Sequence, residues 1–137
     1  MFGEVVAWKS KRQLTVALST MEAEYMSSSD SARQAVWLRL WLEDIGLGLG
    51  KYPLPILNDN NGAITLAKNP VHHEKSKHIS MRHHFLREKI EDNVVSLEHV
   101  RSAENLADIL TKGLPRETFD KLRDLLGIKE KSDQVGV

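Results

Sequence analysis

Three carboxylates sit where a charge without a task would be out of place. Asp59 closes PLPILND (53–59), an apolar stretch that reads as a strand, and ligands of α/β proteins gather at the C-terminal ends of strands. Asp108 stands among Leu106, Ala107, Ile109 and Leu110 in a segment with a helical pattern. Glu24 lies in LSTMEAEYMSSS (18–29), on a helical stripe with Ser27, Ser28 and Ser31, whose small side chains leave room for something bulky. Carboxylates converging from separate elements suit hard divalent cations, which take oxygen ligands. Two such ions about 4 Å apart clamp both oxygens of an in-line phosphoryl displacement. Each residue also has an ordinary reading. Asp59 can form an Asx turn in DNNG, Asp108 can pair with Lys112 at i,i+4, and Glu24 can be plain helix surface.

Glu22 is a different matter. Ser19 followed three residues later by Glu22 is a capping-box pattern, in which Glu22 returns to the Ser19 N–H. Residues two apart do not share a helix face, so Glu22 and Glu24 have separate roles.

The elements that must position these acids follow from the pattern. EVVAWKSK (4–11) reads as a strand, and a long helix runs from about Met21 to Ile45, with Tyr25, Ala32, Ala35, Leu38, Leu42 and Ile45 near helical spacing. GLGLGKYP breaks it. PLPILND is a strand whose prolines suit an edge. NNGAITLAKN is a short helix stopping before Pro70, and a further helix starts near His78. EDN is a turn and VVSLEHV (94–100) a strand. The tail holds two helices, the first capped by Ser102 and ended by Gly113, the second opened by Pro115 and followed by Gly127. KEKSDQVGV is expected to fray. The order is α/β. Trp8, Trp37 and Trp41 are expected in the core.

The composition narrows the classes. The chain has 137 residues, 19 Lys/Arg against 19 Asp/Glu, and no cysteine. Disulfide scaffolds, Cys-ligated zinc and thiol catalysis are excluded, and net charge argues for no nucleic-acid partner. Local charge does: residues 68–89 carry Lys68, Lys75, Lys77, Arg82, Arg87 and Lys89 against Glu74 and Glu88, with five of the six histidines. That segment is either a phosphate-backbone surface or a solvated helix face. Its histidine spacing misses i,i+4, which disfavours zinc. The absence of a signal-like or membrane-length apolar run leads to the expectation of a soluble, cytoplasmic chain, with the nucleus as a second location.

Four ordered blocks, WKSKRQLTVALSTMEAEYMSSS, LNDNNGAITLAKNP, SKHISMRHHFLREKI and ENLADILTKGLP, resemble the ribonuclease H domain that closes the Pol polyprotein of copia-type LTR retrotransposons. The resemblance covers about residues 6–127. It implies an RNase H-like fold with a mixed β-sheet flanked by helices, spanning 1–127 as a partial domain ahead of a polar tail (128–137). It also implies Mg²⁺-dependent cleavage of the RNA strand of an RNA–DNA hybrid, with two Mg²⁺ ions (Mn²⁺ as a substitute). Glu24 before Tyr25-Met26 fits the family's helix acid, Asp59-Asn60 its strand-end acid, and Asp108 its last acid. These three are the implied catalytic and metal-binding residues; Lys75, Lys77, Arg82 and Asn60 are the implied nucleic-acid contacts. The reverse transcriptase segment of the same polyprotein is the implied protein partner.

The family's fourth carboxylate, carried on its first strand and shared by both metals, has no counterpart. Glu4, Asp30 and Asp44 lack its context. The chain is expected to begin at the family's third strand, without the first two, and to be inactive or weakly active alone. The family's sheet order, 3-2-1-4-5, would then leave an edge of PLPILND open to self-association. A non-catalytic nucleic-acid-binding module and an inactive transposon remnant are the alternatives.

Overall fold

The computed structural model describes residues 5–14, 16–48, 50, 52–69 and 77–129; at 77–80, 82 and 83 it describes the backbone. Two compact units emerge, one of Val16–Val100, the other of Met1–Thr15 with Arg101–Val137.

The Val16–Val100 unit begins with the long helix α1 (Thr20–Asp44). Ser19 caps it, its hydroxyl accepting the Glu22 N–H at 3.1 Å. The Glu22 carboxylate reaches back to the N–H of Leu18, one residue before the expected Ser19 N–H, so the box closes around a slightly wider turn. Ile45 and Gly46 end the helix, and Gly46 takes φ +78°, where glycine alone is unstrained.

The chain returns as β1 (Leu54–Asn58), followed by α2 (Asn61–Lys68), α3 (Lys77–Glu91) and β2 (Val95–His99). Between α3 and β2, Asn93 supplies the left-handed turn at φ +58°. The two strands pair in parallel, Leu54 opposite Val95 and Asn58 opposite His99. The Leu54 N–H donates to the Val94 carbonyl at 3.0 Å and the Val100 N–H to the Asn58 carbonyl at 3.1 Å. Residues 54, 56 and 58 therefore aim their backbone at β2, and Pro55 aims its missing N–H at the opposite edge, where no ladder bond is lost.

Alternation then sorts the side chains. Ile56, Asn58, Val95 and Leu97 are buried while Pro55 and Leu57 are exposed. The buried face joins Tyr25 and Ala32 of α1, Ala63, Ile64 and Ala67 of α2 and Leu86 of α3 in one core. Alanine at the helix contacts lets the backbones come close, and Gly62 extends this. A Cβ there would stand 3.0 Å from the capping oxygen of Asn60 and 3.1 Å from Met21 Sδ.

The back of the unit is held by Arg39. Its guanidinium donates to the carbonyls of Gly50 (2.7 Å), Tyr52 (3.2 Å) and Val94 (3.4 Å) and meets Glu43 at 3.4 Å.

In the other unit, residues 5–13 form no strand, and Val6 and Trp8 are 77% and 71% exposed. The expected strand over 4–11 is thus absent in its described part: β-branched composition needs a neighbouring strand to become sheet. The first tail helix is replaced by two short 3₁₀ turns, Ser102–Glu104 and Leu106–Leu110. Asn105, not Ser102, provides the cap, its side chain accepting the Ala107 N–H at 3.2 Å. Helix α4 (Arg116–Leu125) follows Pro115, and Gly127 closes it at φ +72°. The tail from 130 lies outside the described residues.

The tryptophan expectation fails. Trp37 and Trp41 are 60% and 44% exposed and stack on one another at 6.4 Å. They lie one turn apart on the outer face of α1, while Tyr25, Met26, Ser28, Ser29 and Ala32 take the buried positions.

Candidate functional site

Asp59 lies at the C-terminal end of β1, and the residue before it decides how it is held. Asn58 is on the inward parity of the strand and is only 4% exposed. Its amide nitrogen donates to the Ser28 hydroxyl at 2.7 Å and to the Glu24 carbonyl at 3.5 Å. Its amide oxygen accepts the Asn60 N–H at 2.7 Å. Asn60 in turn caps α2, its Oδ1 accepting the Ala63 N–H at 3.0 Å. The backbone on both sides of Asp59 is thereby tied to the turn of α1 that carries Glu24. The Asx-type hydrogen bonds around Asp59 are made by its neighbours Asn58 and Asn60.

The serine stripe is divided. Ser28 is buried against Asn58, whereas Ser27 and Ser31 stay exposed. The room expected beside Glu24 is partly taken by strand β1, which approaches closely because Ser28 is small.

Tyr25, next to Glu24, is fully buried. Burial pushes its hydroxyl up to about 12, against a smaller opposing effect of the Arg87 guanidinium, and keeps it neutral at ordinary pH.

Asp108 belongs to the other unit and is held differently. It sits in the Leu106–Leu110 turn at 8% exposure. The Lys112 ammonium lies 3.0 Å from one carboxylate oxygen and 3.1 Å from the other. The i,i+4 pair read as an alternative in the sequence is therefore formed. Within either unit, among the described residues, no three His, Asp or Glu side chains form a ready metal cluster.

Of the implied nucleic-acid contacts, Lys75 lies outside the described residues, and Lys77 and Arg82 are placed on α3 by their backbone. Asn60 is occupied through its oxygen in the α2 cap. On the described part of that helix, Arg87 donates to the Asn69 carbonyl at 3.1 Å, and Lys89 pairs with Glu88 and Asp92. Lys89 and Arg33 both lie over the Phe85 ring. These cations serve packing as well as charge. His99 is exposed. Among the described residues no helix is long and apolar enough to cross a membrane.

Sequence reasoning did not single out Asn58. The signal was present: counting forward by two from the strand's apolar inward position Ile56 puts residue 58 on the buried side.

The α/β unit with an acid at its strand end, and the blocks around it, have clear relatives: the chain is homologous to a segment of retrotransposon Pol polyproteins. It is 37% identical over 126 residues, 92% of its length, to the retrovirus-related Pol polyprotein from transposon TNT 1-94 of Nicotiana tabacum. It is 36% identical over 123 residues to the corresponding polyprotein from transposon RE1 of Arabidopsis thaliana, covering 90% of this chain. Similarity extends, at 26% identity over 88% of the chain, to the truncated transposon Ty1-A Gag-Pol polyprotein of Saccharomyces cerevisiae. The chain spans only 9%, 8% and 10% of these proteins. No family model matches it, and neither does any solved structure.

Proposed function

We propose that this chain is the ribonuclease H portion of a retrotransposon Pol polyprotein. Its chemistry is endonucleolytic hydrolysis of the RNA strand of RNA–DNA hybrids. The observation that carries the reading is the fastening of the Asp59 strand end to the Glu24 turn through a buried asparagine.

Glu24 and Asp59 in the one unit and Asp108 in the other are the residues proposed to hold divalent ions; each offers the oxygen donors that Mg²⁺ takes, with Mn²⁺ as a substitute. The Asp108 carboxylate already holds a cation on both oxygens, so its surroundings accept positive charge. Bound Mg²⁺ would supply Lewis acidity, activating water and stabilising the leaving 3′ oxygen. The protein's own part is to fix the carboxylates and receive the hybrid. Lys75, Lys77 and Arg82 would meet its phosphates, and the Asn60 amide would donate at the strand end. The reverse transcriptase segment of the polyprotein is the proposed protein partner. A second copy adding a strand to the outer edge of β1 would find no donor at Pro55, so self-association there would rest on few bonds.

The test is Mg²⁺-dependent cleavage of the RNA strand of a hybrid, measured for the chain joined behind a reverse transcriptase segment. Cleavage is expected to vanish in Asp59→Asn. Turnover that persists in Asp59→Asn would sink the proposal.

A further inference from the structure

We propose that Asn58 is a positioning residue that keeps Glu24 and Asp59 in register as a pair of cation ligands, an inference that rests on the metal-dependent reading above. A buried side chain with both donors and an acceptor is costly unless all of them are used. Asn58 uses both kinds, donating to Ser28 and the Glu24 carbonyl and accepting from Asn60.

No other side chain of similar size serves all three. Aspartate would offer no donor to the Glu24 carbonyl and would bury a second charge. Leucine would leave the Ser28 hydroxyl and the Asn60 N–H unmet. The partners are also not arbitrary: one is the backbone of Glu24, one lies a helical turn beyond it, and one directly follows Asp59. Core packing alone would be met by any apolar residue at this inward position, as it is at Ile56 and Leu97. Ligands drawn from different elements must be held to within about 0.5 Å, and supports of this kind, when removed, cost about tenfold or more in metal affinity.

The experiment uses the full chain and Mn²⁺ alone as the probe, followed by paramagnetic broadening of backbone amides in NMR spectra. In the native chain the amides of residues 24 and 59 should broaden over the same Mn²⁺ range. Asn58→Ala should raise the concentration needed by about tenfold. Ser28→Ala, a milder change, should act in the same direction. The double variant should be no worse than Asn58→Ala, because both remove one joint. A folded Asn58→Ala chain that keeps the native Mn²⁺ response at both amides, with only its unfolding midpoint lowered, would show a purely structural residue and overturn the proposal. Broadening that is absent from the native chain, or that survives combined Glu24→Gln and Asp59→Asn, would overturn the metal-dependent reading itself, and this inference with it.

Discussion

Asp59 and Asp108 are both acids in structured surroundings, yet the two units hold them by opposite means. At Asp59 the fixing is done by neutral amides on the neighbouring residues, and the carboxylate is left out of it. At Asp108 the carboxylate itself is engaged, by the Lys112 ammonium on both oxygens. The first arrangement sets position without satisfying charge. The second satisfies charge with a side chain that is 56% exposed and therefore easily displaced. In the proposed metal-dependent reading, a cation arriving at Asp59 would gain a placed ligand, whereas one arriving at Asp108 would first have to exchange with lysine.

The strongest way to break this contrast is at the level of chemistry. In any preparation that cleaves hybrid, Asp59→Asn and Asp108→Asn should each lower the rate at least about 100-fold, roughly 3 kcal/mol of transition-state stabilisation. Only Asp108→Asn should also lower the urea-unfolding free energy, since it alone removes a formed ion pair. Equal stability losses for the two would erase the distinction.

Next in size is the joint. Asn58→Leu should destabilise the chain by about 2 kcal/mol, because it strands a buried hydroxyl and a backbone donor; a denaturation midpoint that does not move would contradict the hydrogen-bond pattern.

Lys112→Met should cost about 1 kcal/mol, the scale of a partly solvated pair. Added Mg²⁺ should then recover more stability in the variant than in the native chain, and an identical response in both would show that lysine and cation do not compete.

The smallest effect is a control beside Glu24. An unfolded tyrosine ionises near 10, whereas folded Tyr25 does so at about 12. The stability it contributes is therefore complete below about pH 10 and falls as pH rises towards 12. Relative to Tyr25→Phe, the native chain should lose about 1 kcal/mol by about pH 11. Parallel pH curves for the two would remove Tyr25 from the account.

Much of the Val16–Val100 unit was legible because its signals are local. The Ser19 cap and the glycines after Asp44 bracket α1 to within a residue or two of the expected 21–45. Pro53 and Asp59 bracket β1, and Asn60 and Pro70 bracket α2. What escaped depends on partners that periodicity cannot report. EVVAWKSK has strand composition, but its described residues pair with no neighbour. The Ser102–Leu110 stretch has helical apolar spacing, yet Asn105 offers its side chain to Ala107 N–H and restarts the chain as a second tight turn. Trp37 and Trp41 are as hydrophobic as core residues, but position on the helix decides burial, and that face of α1 meets solvent. Type and context singled out Glu24, Asp59 and Asp108 as candidates but not Asn58, since asparagine next to aspartate ordinarily marks a turn.

Arg39 has a consequence for how the unit comes apart. One guanidinium spans the glycine loop after α1, the approach to β1 and the start of β2. Loosening any of these segments alone forfeits bonds that the others also need. Gly50 and Tyr52 are thus drawn into the same opening event as the strands. Their amides should exchange with solvent at the pace of the whole unit.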